Sequence, residues 1–213
     1  MISGSSKDAL GSKSKRPMPI GFTGRLLLLG SICANLGCAA NSRPFDGNTP
    51  TLPRQVFLVR HAEREWDGED PPLVAAGVAR AQALAATLRD AGISRIVTTQ
   101  WRRTRDTVEP LARLLRITPE VIPVFDGKAR ENVEQVAAAV RGYKDESVLV
   151  VGHITVTGVI AALGGPSLPT ICDNVFSDLF LFKPAAGEAG LVHLHYGAAE
   201  DISPRCRLTP LSD

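Results

Sequence analysis

Gln55-Val56-Phe57-Leu58-Val59-Arg60-His61 is the stretch on which the reading of this chain turns. Residues 55–59 are a short uncharged run rich in β-branched and aromatic side chains, the pattern of a buried strand, and Arg60 and His61 follow it directly. Outward from this strand the pattern alternates. Residues 73–90 are rich in Ala and Leu at helical spacing, and Ala91-Gly92 supplies a C-cap signal. Residues 95–98 read as a second strand. Residues 103–116 read as a second helix, with Pro110 expected to kink or break it. A short strand is expected over 120–124 and a third helix over 131–142. A strand apolar enough to be buried on both faces follows over 147–151, then a fourth helix over 155–163. Residues 176–183 and 191–196 read as two closing antiparallel strands around a Pro184–Gly190 turn region. Strand–helix alternation of this kind predicts an α/β fold: a three-layer α/β/α sandwich with a mostly parallel central sheet.

The chemistry collects at strand ends. Arg60 and His61 follow the first strand, Arg102 and Arg103 the second by a few residues, and Gly152-His153 the 147–151 strand directly. Ligands of open α/β sheets bind at the carboxyl ends of the strands, so these residues are expected to converge on one pocket. Guanidinium forks match phosphate geometry, and a neutral imidazole is a competent nucleophile toward phosphorus. No Cys or carboxylate accompanies these groups at metal-ligand spacing, so zinc is not the reading. His193 and His195 alternate on one strand and face the same side; two exposed strand histidines are expected there rather than a metal pair.

Leu58 to Asp67, then Asp70-Pro71-Pro72-Leu73 through Gly77 to Arg80-Ala81, then Thr99 to Thr107, then Val150-Val151-Gly152-His153 resemble, in that order, the motifs of the histidine phosphatase (phosphoglycerate mutase-like) superfamily, branch 1. The likeness runs over 55–165, with a looser echo to about 197. It implies a phosphoglycerate mutase-like fold. It also implies that His61 takes up the phosphoryl group, that Arg60, Arg103 and His153 hold its oxygens, and that no metal or other cofactor is needed. Arg64 is a candidate substrate contact. Four positions depart from the family pattern: Ala62 for Gly, Asp67 for Asn, Val74 for Thr, and Ile154-Thr155-Val156-Thr157 after the second histidine. The acid that protonates the leaving group has no motif of its own; Glu63, Asp126 and Glu131 are the candidates.

The formal charge of +2 hides an asymmetry. Residues 1–37 carry +4, so the remainder carries −2, and no basic patch marks a nucleic-acid binder. Lys7, Lys13, Lys15, Arg16 and Arg25 precede an apolar run over 26–36, and small residues follow at 37–40. Positive, apolar, small is the order of a secretory signal, and the run is too short for the roughly 20 residues of a membrane span. Leu36-Gly37-Cys38 resembles a lipobox, which makes Cys38 a candidate lipid anchor. The expected division is a signal peptide of lipoprotein type over 1–37, a linker over 38–53 and the histidine phosphatase domain over 54–213, with export to the periplasm or envelope. Cys172 and Cys206 are then left as one expected disulfide. The expected activity is metal-independent hydrolysis of a phosphomonoester, carried by a small molecule or an envelope component. The alternatives are an inactive phosphate-binding lipoprotein of the same fold and, more remotely, a phosphomutase.

Overall fold

The computed structural model describes residues 52–200. The expected signal peptide, Cys38, nearly all of the linker and Cys206 lie outside the described residues. Among the described residues, no helix is long and apolar enough to cross a membrane.

The first strand, β1, is Gln55–Arg60, and all but its first residue are buried. It is followed by α1 (Ala75–Leu88), β2 (Ile93–Thr98), α2 (Arg102–Leu115), β3 (Glu120–Val121), α3 (Ala129–Gly142), β4 (Ser147–Gly152), α4 (Val156–Ala162), β5 (Asp178–Phe182) and β6 (Leu191–His195). A short 3-10 segment, Pro184–Gly190, joins the last two strands. The sheet order is β3-β2-β4-β1-β5-β6. The first four strands of that order pair in parallel; β5 runs antiparallel to β1 and to β6. This is the expected α/β fold with a mostly parallel central sheet.

Alternation along the strands builds two cores. Val56 and Leu58 of β1 face one side with Val148 and Val150 of β4, and α3 and α4 cover them through Val133, Val136, Val159 and Ile160. Phe57 and Val59 face the other side with Leu149 and Val151, under Leu84 and Leu88 of α1 and Val108 and Leu111 of α2. The arrangement of layers follows from chain direction. From β1 to β2 to β3 the chain steps one way across the sheet; from β3 to β4 to β5 it steps back. Right-handed crossovers then put α1 and α2 on one face and α3 and α4 on the other. Adjacent strands β1 and β4 therefore send their next helices to opposite faces, and a crevice opens at their carboxyl ends.

Two expectations need correction. α2 runs unbroken through Pro110, because Thr107, Val108, Leu111 and Ala112 bury both sides of the proline against α1 and β2. β3 stops at Val121 rather than 124. The Ile122 amide still donates to the Thr98 carbonyl at 2.9 Å, but Pro123 has no N–H to continue the ladder.

Candidate active site

His61 sits one residue beyond β1, and its amide donates to the Gly152 carbonyl at 2.9 Å, which extends the β1–β4 ladder into the crevice. The ring is 1% exposed. Nδ1 lies 2.7 Å from the Ala62 carbonyl, which only accepts, so the proton of a neutral ring is on Nδ1. That leaves a lone pair on Nε2, which is buried and has no hydrogen-bond partner. Burial above all, then the charges of His153, Arg60 and Arg103, push the imidazole down to about 2, so the ring is neutral through the physiological range.

Arg60, the last residue of β1, is buried and anchored on three sides. Its Nη1 donates to the carbonyls of Cys172 (2.5 Å) and Val175 (3.3 Å), and Asp173 lies 3.6 Å from Nη2. The Phe176 ring packs against it at 4.7 Å. Its Nε is buried without a partner. Burial lowers this guanidinium to about 10. Nη2 also lies 3.0 Å from Nε2 of His153, which follows β4. Guanidinium only donates, so His153 Nε2 accepts here and its proton is on Nδ1. Burial first, then Arg60, Arg103 and Arg64, lower His153 to about 3. The two imidazoles are 5.0 Å apart, centre to centre.

Arg103 enters from the first turn of α2, its guanidinium 4.9 Å from the Trp101 ring and its Nε buried and unpartnered. The start of α2 is fixed from outside the helix, since Asp70 accepts the Arg102 amide at 2.8 Å. Thr107 ties α2 to the loop after His61: its hydroxyl accepts the Ala62 amide at 2.9 Å and donates to the Arg103 carbonyl at 2.6 Å. Two hollows meet at His153. One, about 360 Å³, is walled by His61, Arg60, Arg64, Trp66, Asp173 and Phe176 among others. The second, about 240 Å³, holds Arg103, Trp101 and Asp126.

All five residues expected at the site line these two hollows. Arg64 donates to the Glu65 carbonyl and lies 5.4 Å from the Trp66 ring, at the rim. Arg102 turns away to Asp106, and Arg105 is exposed. Asp67 is exposed and lines neither hollow.

The three candidate acids separate. Glu63 is gripped by the buried Arg80 through both carboxylate oxygens at 2.8–3.0 Å, so it serves as an anchor for the loop after His61 rather than a proton donor. Glu131 pairs with Lys128 on another surface. Glu63 lines the His61 hollow with its carboxylate tied to Arg80, and Asp126 lines the Arg103 hollow with no such tie among the described contacts. Sequence reasoning missed Arg80, which also donates to the carbonyls of Tyr196 and Ala198 and pairs with Glu200. It missed Asp173 as well, which sits in a loop without a motif. α1 docks tightly beside Glu63: a Cβ on Gly77 would meet the Glu63 carbonyl oxygen at 2.0 Å. Cys172 is disulfide-bonded, and Cys206 lies outside the described residues.

Residues 56–127 match the histidine phosphatase superfamily (branch 1). A probable phosphoglycerate mutase GpmB of Proteus mirabilis (strain HI4320) is 41% identical over 69 residues, which cover 29% of this chain and 32% of that protein. The protein of the same name from Shigella dysenteriae serotype 1 (strain Sd197) is 36% identical over 84 residues, 36% of this chain and 37% of that one. The chain thus spans about a third of the length of the curated relatives it matches. Among solved structures, the protein histidine phosphatase SixA complexed with tungstate shares the fold, with a TM-score of 0.52 at 20% identity, over 68% of this chain and 96% of that one.

Proposed function

We propose, from the match of residues 56–127 to the histidine phosphatase superfamily (branch 1), that this chain is a phosphomonoester hydrolase working through a phosphohistidine on His61. The observation that carries this reading is the buried, unpartnered Nε2 lone pair of His61, fixed by the Nδ1–Ala62 contact and facing the charges of Arg60 and Arg103. Nε2 attacks phosphorus, an N–P bond forms, and the P–O bond to the leaving group breaks. Arg60 Nε and Arg103 Nε, both lacking partners, donate to the phosphoryl oxygens as negative charge spreads over them. A dianion in the crevice favours a proton on His153, which then exchanges its bond to Arg60 for donation to phosphate. Asp126, which lines the adjoining Arg103 hollow, protonates the leaving oxygen and then takes the proton of the attacking water. Water then breaks the N–P bond, releasing phosphate and restoring His61. These steps use no metal.

The substrate is a phosphorylated small molecule or envelope component. Export, and lipidation at Cys38, rest on the leader pattern of residues 1–40. One observation favours a second reading, an inactive phosphate-binding protein: Arg60 is already engaged by two carbonyls, Asp173 and His153. The two separate in one experiment with the full chain and an aryl phosphate. Hydrolysis is expected, with an acid-labile, base-stable phosphoprotein trapped on quenching, and neither in His61→Asn. Phosphate binding without turnover or phosphoprotein would sink the hydrolase reading.

A further inference from the structure

The remaining two histidines meet a carboxylate on the outer strands. β5 and β6 pair antiparallel with Asp178 opposite His195 and Phe180 opposite His193. With a two-residue period, Asp178, His193 and His195 share one face of the sheet. His193 Nε2 lies 2.8 Å and His195 Nδ1 3.3 Å from the same oxygen, Asp178 Oδ1, and the three ligand atoms are all within 4.8 Å of one another.

We propose that Asp178, His193 and His195 form a binding site for a divalent transition metal, with zinc as the fitting ion. Zinc takes imidazole nitrogen and carboxylate oxygen at about 2.0–2.2 Å in a tetrahedron, whose ligand-to-ligand edges are about 3.3–3.5 Å. The two histidine–Asp178 separations need shifts of about half an ångström or less, and the two histidine nitrogens, within 4.8 Å of each other, close by at most about 1.4 Å through rotation of exposed rings to enclose such an ion. Two neutral rings and one carboxylate sum to −1, and a metal replaces the ring N–H groups that now point at Asp178. Imidazole and carboxylate together suit zinc and its neighbours rather than calcium or magnesium, which take oxygen alone.

The ligands are held in place. Asp178 is buried, and the His193 ring stacks on Phe180 at 4.5 Å and 19°. Ser177 Oγ donates to Glu200 at 2.9 Å and lies 3.4 Å from His195 Nδ1, the ligand nitrogen itself, so an entering ion replaces that contact. β6 is an edge strand, and its two histidine side chains are 48% and 58% exposed, so an ion reaches them from solvent and water completes the fourth position. None of the three residues lines the His61 hollow, so this site is separate from the proposed phosphoryl chemistry.

The test uses the full chain, stripped with a chelator and titrated with cobalt(II) as an optical probe, with zinc as competitor. One cobalt per chain is expected, with the visible absorption of a four-coordinate N/O site, displaced by zinc. His193→Asn and His195→Asn each weaken binding by at least about tenfold, while His61→Asn leaves it unchanged. These two imidazoles are on the surface, so their variants fold; Asp178→Asn is read only where its circular dichroism matches wild type. Absence of binding below millimolar cobalt overturns the proposal. So does an affinity that survives both strand-histidine variants, or one that is lost in His61→Asn.

Discussion

Replacing His61 by Asn should make the protein less sensitive to acid. The wild-type ring is neutral when folded, because burial holds it near a pKa of about 2. An unfolded histidine titrates near 6.5, so between these limits the unfolded chain carries a proton that the folded chain refuses. The unfolded state therefore binds more protons, and stability falls as pH falls through that window; above 6.5 neither state is protonated and the ring adds no slope. Each buried neutral imidazole contributes about 1.4 kcal/mol per pH unit, or about 3 kcal/mol from His61 between pH 6.5 and 4.5. His153 adds a loss of the same sign, since it is held near 3, and it does so in both proteins. The carboxamide introduced by His61→Asn keeps an N–H to offer the Ala62 carbonyl, and the packing lost in the exchange costs the same at every pH. Urea unfolding at a series of pH values reads the difference directly. The gap between wild type and variant should shift by about 3 kcal/mol in the variant's favour over those two units. Parallel curves would mean that the ring is protonated in the folded protein, and the nucleophile argument would fail with it.

Glu63→Gln should lower stability by about 1–2 kcal/mol, because it removes one of the two carboxylates that face buried Arg80 and leaves Glu200, and thermal melting reads this. Glu131→Gln, on the surface, should change neither melting nor turnover. Gly77→Ala should cost about 3 kcal/mol or prevent folding, because its Cβ would collide with the Glu63 carbonyl. Gly142→Ala, at the end of α3 with open space around it, should stabilise by about 0.5 kcal/mol, and equal melting shifts for the two would refute the packing argument. Arg103→Ala should weaken competitive inhibition by phosphate at least about tenfold, one charged hydrogen bond's worth. Asp126→Asn should slow hydrolysis of an alkyl phosphate far more than of an aryl phosphate, since only the poor leaving group needs its proton; equal slowing would remove Asp126 as the acid.

β1, β4 and β5 were readable because each is a short apolar run, and for β1 and β4 the run ends at Arg60-His61 and Gly152-His153. Their neighbourhood was less so. A parallel pair is joined through everything between its strands, so the 2.9 Å contact from His61 to Gly152 has no local signature. Glu63 looked like a proton donor because it stands two residues from His61; its partner Arg80 is 17 residues on, presented by the next helix. Asp173 comes to Arg60 from 113 residues away in a loop without a motif, so nothing in the pattern pointed to it. His193 and His195 were legible as a same-face pair, but Asp178 joins them only through the β5–β6 register. Pro110 misled in the other direction. Local propensity argued for a kink or a break, and with the flanking residues buried the helix does not break.

The loop after His61 is completed late as the chain is made. β1 comes first, yet its sheet neighbours are β4 and β5, whose pairing begins at Ser147 and Leu179. Glu63 is fixed by Arg80, and Arg80 is fixed in turn by Tyr196, Ala198 and Glu200. The residues around His61 therefore wait for contacts more than a hundred positions downstream, a high contact order that slows folding. A chain stopped before residue 178 lacks one neighbour of its first strand, and one stopped before residue 196 lacks the contacts that hold Arg80 against Glu63.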